Sequence, residues 1–294
     1  MRRGVMLWGL SGDAPFDAVR RELERMRAPL VVLDQRDAVA GSSDLAHVQS
    51  CFVRPYDVAD LIDETDLATR AVACARQQEL CVRLDDFDGL VVNRPSASAS
   101  NASKPFQAEL IRRAGFDVPA TLVTTSPDDV RAFVAAHETV IYKSVSGMRS
   151  EVAKLAAADD ERIDDVVNAP TQFQEHIPGT DWRVHVVNEE LFACEIRCDA
   201  DDYRLAPLQN LPIALRAGRL PNEVGDRCVA LARALNLVVA GIDLRQREDG
   251  RWYCFEANPA PVFTYYESET GQPLTAAVAA LLLRGATGST GLAA

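Results

Sequence analysis

The chain has 294 residues, 48% of them hydrophobic and 25% charged, which is ordinary material for a globular protein large enough to divide into two or three compact units. A net charge of −12 argues against generic attraction to nucleic acid or an anionic membrane, although a local basic groove stays open. No apolar run reaches the roughly 18 to 20 residues needed to span a bilayer, and seven cysteines with no CxxC pair point to reduced thiols and a cytoplasmic setting.

In chain order, GVMLWG reads as a strand, Phe16 to Met26 as an amphipathic helix, PLVVLD as a strand, Leu67 to Gln77 as a helix and GLVVN as a strand. That is the rhythm of a small parallel α/β unit. Ser11-Gly12-Asp13 leads straight into the first helix, so the apolar start is not expected to be a secretory signal. RPSASASNASKP then interrupts with small polar residues, as a linker or functional loop would. A helix from Lys104 to Ala114 is expected to bury Phe106, Leu110 and Ile111 and to stop at Gly115. Strand ATLVTT, helix Pro127 to Ala136 and strand TVIYKSV follow, the last pairing with EVAKL as a hairpin around the glycine-bearing turn SGMRS. QFQEHI, WRVHVVN and LFACEIRC are further strands, Glu223 to Asn236 is a helix, and a final helix spans Leu274 to Arg284 before a frayed tail. The later part is thus a largely antiparallel α+β body behind an α/β cap.

The stretch GIDLRQREDGRWYCFEANP, from Gly241 to Pro259, carries the chemistry. Asp249-Gly250 predicts a type I′ hairpin turn. Pairing Glu248 with Arg251 then sets Asp243 opposite Glu256, with Asn258 two residues along on the same face. Two facing carboxylates repel, and a divalent cation would offset that repulsion; ligands that are all oxygen favour magnesium over zinc. A solvated hairpin end whose polar residues face water is the alternative. Lysine is the second signal, because 28 of the 31 basic residues are arginine and only Lys104, Lys143 and Lys154 are not. A compact ammonium suits single phosphate oxygens. Lys104 opens a helix, where free N–H groups also favour an anion, and Lys143 ends a strand beside SVSGMRS. That loop matches neither GxGxxG nor GxxxxGK[ST]. The four histidines are scattered, so a Ser-His-Asp hydrolase finds no support.

A lysine opening a helix, a lysine before a glycine-bearing loop, QFQEHIPGTDWRV and a terminal D…ExN hairpin together resemble the ATP-grasp superfamily of carboxylate–amine and carboxylate–hydroxyl ligases. The resemblance covers nearly the whole chain, most closely from Asn101 to Gly271. NRPSASASNASKPFQAELIRRAGFDVPATLVTT and EANPAPVFTYYESETGQPL resemble the branch holding protein-glutamate ligases and microviridin-type (graspetide) peptide ligases. The resemblance implies an ATP-grasp fold, α+β with α/β: an N-terminal pre-grasp domain (1–103), a central subdomain with the lid and adenine strand (104–180), and a C-terminal subdomain with the metal and phosphate site (181–294). It implies that Lys104 and Lys143 hold the α- and β-phosphates of ATP under a lid containing Ser146 and Gly147. The Gln174 side chain and the backbone of Glu175 and Ile177 would read adenine, and Asp181 the ribose hydroxyls. Asp243, Glu256 and Asn258 would hold Mg2+, as two ions, while Arg183, and secondarily Arg204, would steady the transferring phosphoryl group. EAN stands where EVN or EIN is more usual, and PAPVF replaces the GQF- or GQW-like turn of macrocyclising members. The implied activity joins a carboxylate, on a peptide or amino acid, to an amine or hydroxyl through an acyl-phosphate. A small-molecule kinase or a non-catalytic nucleotide-binding protein is the alternative. Implied partners are ATP, the carboxylate and its acceptor, and a second copy of the chain in a homodimer, without nucleic acid or membrane.

Overall fold

The computed structural model describes residues 4–37, 45–62, 65–99, 103–144, 153–155, 157–198, 200, 203–206 and 209–285. β1 (Gly4–Gly9), α1 (Ala14–Arg25), β2 (Leu30–Asp34), β3 (Val48–Arg54), α2 (Leu67–Asp85) and β4 (Leu90–Val92) form a parallel sheet ordered β2-β1-β3-β4. Asp13 caps α1 by accepting the Phe16 N–H at 3.2 Å, and Phe16, Val19 and Leu23 bury one helix face. Residue patterning does not predict β3, and α2 continues to Asp85 where Gln77 was the expected end. β3 lies between β1 and β4, and polar Ser50 and Arg54 break its apolar run. Both are buried because both are satisfied: Ser50 Oγ donates to Leu282 O at 2.7 Å, and Arg54 pairs with Asp13 at 2.7 Å and donates to Pro261 O at 3.1 Å.

After α3 (Pro95–Ser98) and α4 (Lys104–Arg113), β5 (Thr121–Thr124), α5 (Pro127–Ala136), β6 (Val140–Ser144), β7 (Ala153–Lys154) and β8 (Thr171–Glu175) build an antiparallel sheet ordered β5-β8-β6-β7. The β6–β7 hairpin places Ile141 opposite Lys154, and its loop, with Ser146 and Gly147, lies outside the described residues. β9 (Thr180–Val187), β10 (Glu190–Cys198), β11 (Ile213–Gly218), α6 (Asn222–Ala234), β12 (Val239–Gln246) and β13 (Trp252–Asn258) give a second antiparallel sheet, β11-β10-β9-β12-β13. α7 (Phe263–Thr270) and α8 (Leu274–Arg284) close the chain; β11 and α7 are further elements that residue patterning does not predict.

Alternation along β9 decides where the site lies. Trp182, Val184 and Val186 enter a core with Ile111 of α4 and Leu231 of α6. Asp181, Arg183 and His185 therefore point to the opposite face. Beyond that face, Phe263, Leu274 and Val278 of the last two helices share a core with Val5, Leu7 and Phe16, which ties the parallel sheet to the end of the chain. α4 reverses one expectation: Phe106 is 54% exposed, and Gln107 is buried in its place.

Candidate active site

The β12–β13 hairpin sets Asp243 opposite Glu256 as expected, but the turn is not type I′. Gly250 has a φ of 84°, Asp249 is not left-handed, and Arg247 N–H donates to Arg251 O at 2.9 Å around a three-residue loop. From that loop the register pairs Gln246 with Trp252 and Leu244 with Cys254, one residue away from the predicted pairing. A bulge at Phe255 then restores Asp243 opposite Glu256, and bulges re-aim side chains, so that Phe255 and Glu256 both line the cleft.

Three rungs cross this face. Asp181 stands opposite Arg245; Arg183, Asp243 and Glu256 form the second; His185, Gly241 and Asn258 form the third. Arg183 Nη1 meets Asp243 Oδ1 at 2.6 Å, so a guanidinium offsets part of the carboxylate repulsion. Its position depends on Gly241, where a Cβ would stand 2.1 Å from Arg183 Nη2 and 2.7 Å from Cζ. Tyr266 puts its ring 5.6 Å from the guanidinium carbon and its hydroxyl 2.7 Å from that of Tyr203. Burial works against the Arg183 charge, but Asp243 and the two phenols outweigh it and raise its pKa above the ordinary arginine value. Burial, then Asp243, pushes the Tyr203 phenol well up, so it stays protonated. Burial, then Arg183, drives His185 well below the ordinary histidine value, so it is neutral.

A cleft open to solvent separates this rung from the β5-β8-β6-β7 sheet. It brings together Lys143, Gln174, Glu175, Ile177, Asp181, Arg204, Asp243 and Glu256. Arg183 reaches it through Asp243. Lys104 and Asn258 are not among its lining residues: Lys104 opens α4, which packs on β13, and Asn258 Oδ1 accepts the Ala260 N–H at 2.8 Å. Gln174 Nε2 donates to Thr121 Oγ1 at 3.0 Å, and the Glu175 N–H donates to Ala120 O at 2.9 Å.

Residue patterning misses Arg245, Tyr203 and Phe255. Arg245 grips Asp181 through two bonds at 2.7 and 2.9 Å, donates to Ile177 O at 2.7 Å, and lies over the Phe255 ring at 5.3 Å. The signal was present for Arg245, since it lies two residues from Asp243 and therefore on the same face. Tyr203, in a short 3-10 turn, carried none.

Among the described residues, no group of three or more His, Cys, Asp or Glu side chains could hold a metal. The Asp243–Glu256 pair with the Asn258 amide still fits magnesium, because that ion is usually bound by one or two carboxylates, with water and substrate phosphate completing its shell. All seven cysteines are free, and among the described residues no helix is long and apolar enough to cross a membrane.

Residues 101–282 match the RimK-like ATP-grasp domain. The chain belongs to the RimK-like ATP-grasp family, and its fold is the expected ATP-grasp fold. It is 26% identical over 205 residues to beta-citrylglutamate synthase B of Danio rerio, covering 66% of this chain and 50% of that protein. It is 31% identical over 174 residues to the ribosomal protein bS6–L-glutamate ligase of Salmonella paratyphi B, covering 55% and 57%. The chain thus spans about half the length of these curated relatives. Among solved structures, the ATP-grasp ligase PsnB complexed with a minimal precursor superposes with a TM-score of 0.81 at 26% identity, covering 96% of this chain and 99% of that one. The macrocyclase MdnC of Microcystis aeruginosa MRC, bound with its precursor peptide MdnA, shares the fold at a TM-score of 0.80 and 20% identity, covering 95% and 99%.

Proposed function

We propose that the chain is an ATP- and magnesium-dependent ligase that activates a carboxylate as an acyl-phosphate and joins it to an amine or hydroxyl on a peptide substrate. The observation that carries this is the rung Arg183–Asp243–Glu256 facing Lys143 across one cleft. PsnB has been solved with a minimal precursor, Mg and ADP, and its resemblance to this chain over nearly the full length supports a peptide as the substrate class. The alternatives, a kinase and a nucleotide-binding protein without turnover, are not favoured by ligase relatives and ligase neighbours.

In this reading the units 1–103, 104–180 and 181–294 act together. The Gln174 side chain and backbone groups of Glu175 and Ile177 read adenine; Asp181, steadied by Arg245, takes the ribose hydroxyls; Lys143 and Lys104 carry phosphate charge. Asp243, Glu256 and Asn258 would hold two magnesium ions, which when bound neutralise and align the phosphates. The substrate carboxylate oxygen attacks the γ-phosphorus, the bond to the β-phosphate oxygen breaks, and ADP departs with that electron pair. An amine or hydroxyl then attacks the acyl carbon, the bond to the phosphate oxygen breaks, orthophosphate leaves, and the nucleophile's proton passes to phosphate or water. Arg183 holds positive charge beside the transferring group, and Arg204 lies at the exposed rim for a later oxyanion. The free cysteines suit a cytoplasmic setting.

The test is to incubate the purified chain with Mg-ATP and acidic peptides. Orthophosphate together with a peptide that has lost the mass of water supports ligation. A phosphorylated peptide would favour the kinase, and no magnesium-dependent binding of ADP would overturn the reading.

A further inference from the structure

We infer that Gln107 is a positioning residue for the magnesium site: its carboxamide fixes the edge strand so that Glu256 lines the cleft and Asn258 stands on the same face of the sheet. The inference rests on the ligase reading of that site. β13 lies at the edge of its sheet, with β12 on one flank only. Between the two ligand positions stands Ala257, fully buried, whose N–H and C=O would otherwise have no water to meet. Gln107 Nε2 donates to Ala257 O at 2.9 Å, and Ala257 N–H donates to Gln107 Oε1 at 3.0 Å. Both halves of one amide are used, so its orientation is set, and the pair reproduces one rung of a β-ladder.

Its place along the strand gives this rung a consequence. Asp117 closes the same edge on the far side of the bulge, taking the Cys254 N–H at 2.9 Å and donating to Trp252 O at 3.1 Å. The bulge at Phe255 therefore lies between two clamps, and a bulge disrupts the ladder that would otherwise specify the strand. Gln107 holds the side that bears the ligands. It also lies one helical turn after Lys104, so the same amide fixes that lysine's turn of α4 against β13. The outward Phe106 follows: α4 buries an amide and exposes an aromatic ring because the strand edge needs the amide.

The experiment compares wild type with Gln107→Leu, which keeps the volume but has no partner for Ala257, and Gln107→Glu, which keeps the acceptor but sets an oxygen against Ala257 O. ADP binding is measured by calorimetry at stepped magnesium concentrations, with melting temperature and amide hydrogen exchange recorded without nucleotide. Expected is a rise of about 10- to 100-fold in the magnesium needed for half-maximal ADP affinity. Exchange should speed up at 255–258 while α6 stays protected. An unchanged magnesium requirement, with or without a lower melting temperature, overturns the inference. Should neither variant fold, wild type alone decides: an Ala257 amide that exchanges as fast as an open loop refutes the clamp, and one protected like the core supports it. Wild type that binds no ADP in response to magnesium fails the ligase reading itself, a result distinct from the others.

Discussion

Replacing Gly241 by alanine tests whether backbone, cation and carboxylate form one unit. A Cβ there would stand 2.1 Å from Arg183 Nη2, 2.7 Å from Arg183 Cζ and 2.7 Å from Pro261 Cβ. The guanidinium has little room to retreat, being 6% exposed and tied to Asp243 at 2.6 Å. Overpacking of this kind costs about 1–3 kcal/mol. Full expulsion of the guanidinium would also leave the half-buried Asp243 carboxylate beside Glu256 without its cation, so strain with a displaced Arg183 is the expected outcome. At about 2–4 °C per kcal/mol for domains of 150–250 residues, melting should fall by several degrees. Loss of a placed cation beside the transferring phosphoryl should cost about 10²–10³-fold in turnover. The assay is ADP formation under saturating Mg-ATP alongside a thermal melt. Gly225→Ala is the control, because its Cβ meets only the flexible Leu191 Cδ1 at 2.8 Å and alanine favours helix. Gly241→Ala with wild-type melting and turnover would refute the claim that Arg183 is held over this glycine.

Lys143→Ala and Asn258→Ala should each lose ATP-dependent turnover while their circular dichroism stays native; full activity in either removes that residue from the site. Arg245→Leu abolishes three charged hydrogen bonds to Asp181 and Ile177, so KM for ATP should rise about 10- to 100-fold, more than kcat falls. His185 has a pKa well below its ordinary 6.5 in the folded state, so the unfolded chain binds the extra proton first. Stability should therefore fall as pH drops below about 6.5, by up to about 1.4 kcal/mol per pH unit until the folded pKa is reached, and denaturant melts of His185→Gln should lack that part of the slope. Asn93→Ala removes four bonds to Val238, Val239 and Pro259, from 2.6 to 3.1 Å. With about 1–3 kcal/mol for each buried group left unpaired, it should destabilise by roughly 4 kcal/mol or more in a urea melt.

Elements that bury one apolar face were legible from residues alone. α1 shows Phe16, Val19 and Leu23 at helical spacing, and β9 alternates Trp182, Val184 and Val186 with polar partners. β3 was not, because Ser50 and Arg54 look like solvent-facing residues until their partners, Leu282 O, Asp13 and Pro261 O, arrive from elsewhere in the chain. Phe106 and Gln107 failed for the same reason. Local hydrophobicity ranks the ring as the buried one, while the deciding term is an unpaired strand edge 150 residues away.

The hairpin was read correctly at Asp243 and Glu256, although strict alternation cannot hold along β13. Trp252 and Cys254 belong to the core beneath the sheet, whereas Glu256, also even-numbered, lines the cleft on the other side. A continuous strand would bury Glu256 among Ile242 and Cys228. One inserted residue, Phe255, flips the parity, so the apolar half of the strand packs downward and the acidic half faces upward. The same insertion supplies the ring that Arg245 covers, and Arg245 in turn holds Asp181. The consecutive apolar run Trp252-Tyr253-Cys254-Phe255 is the trace such a change of face leaves in a sequence: residues of both faces are apolar because the strand is buried on both sides before it reaches the cleft.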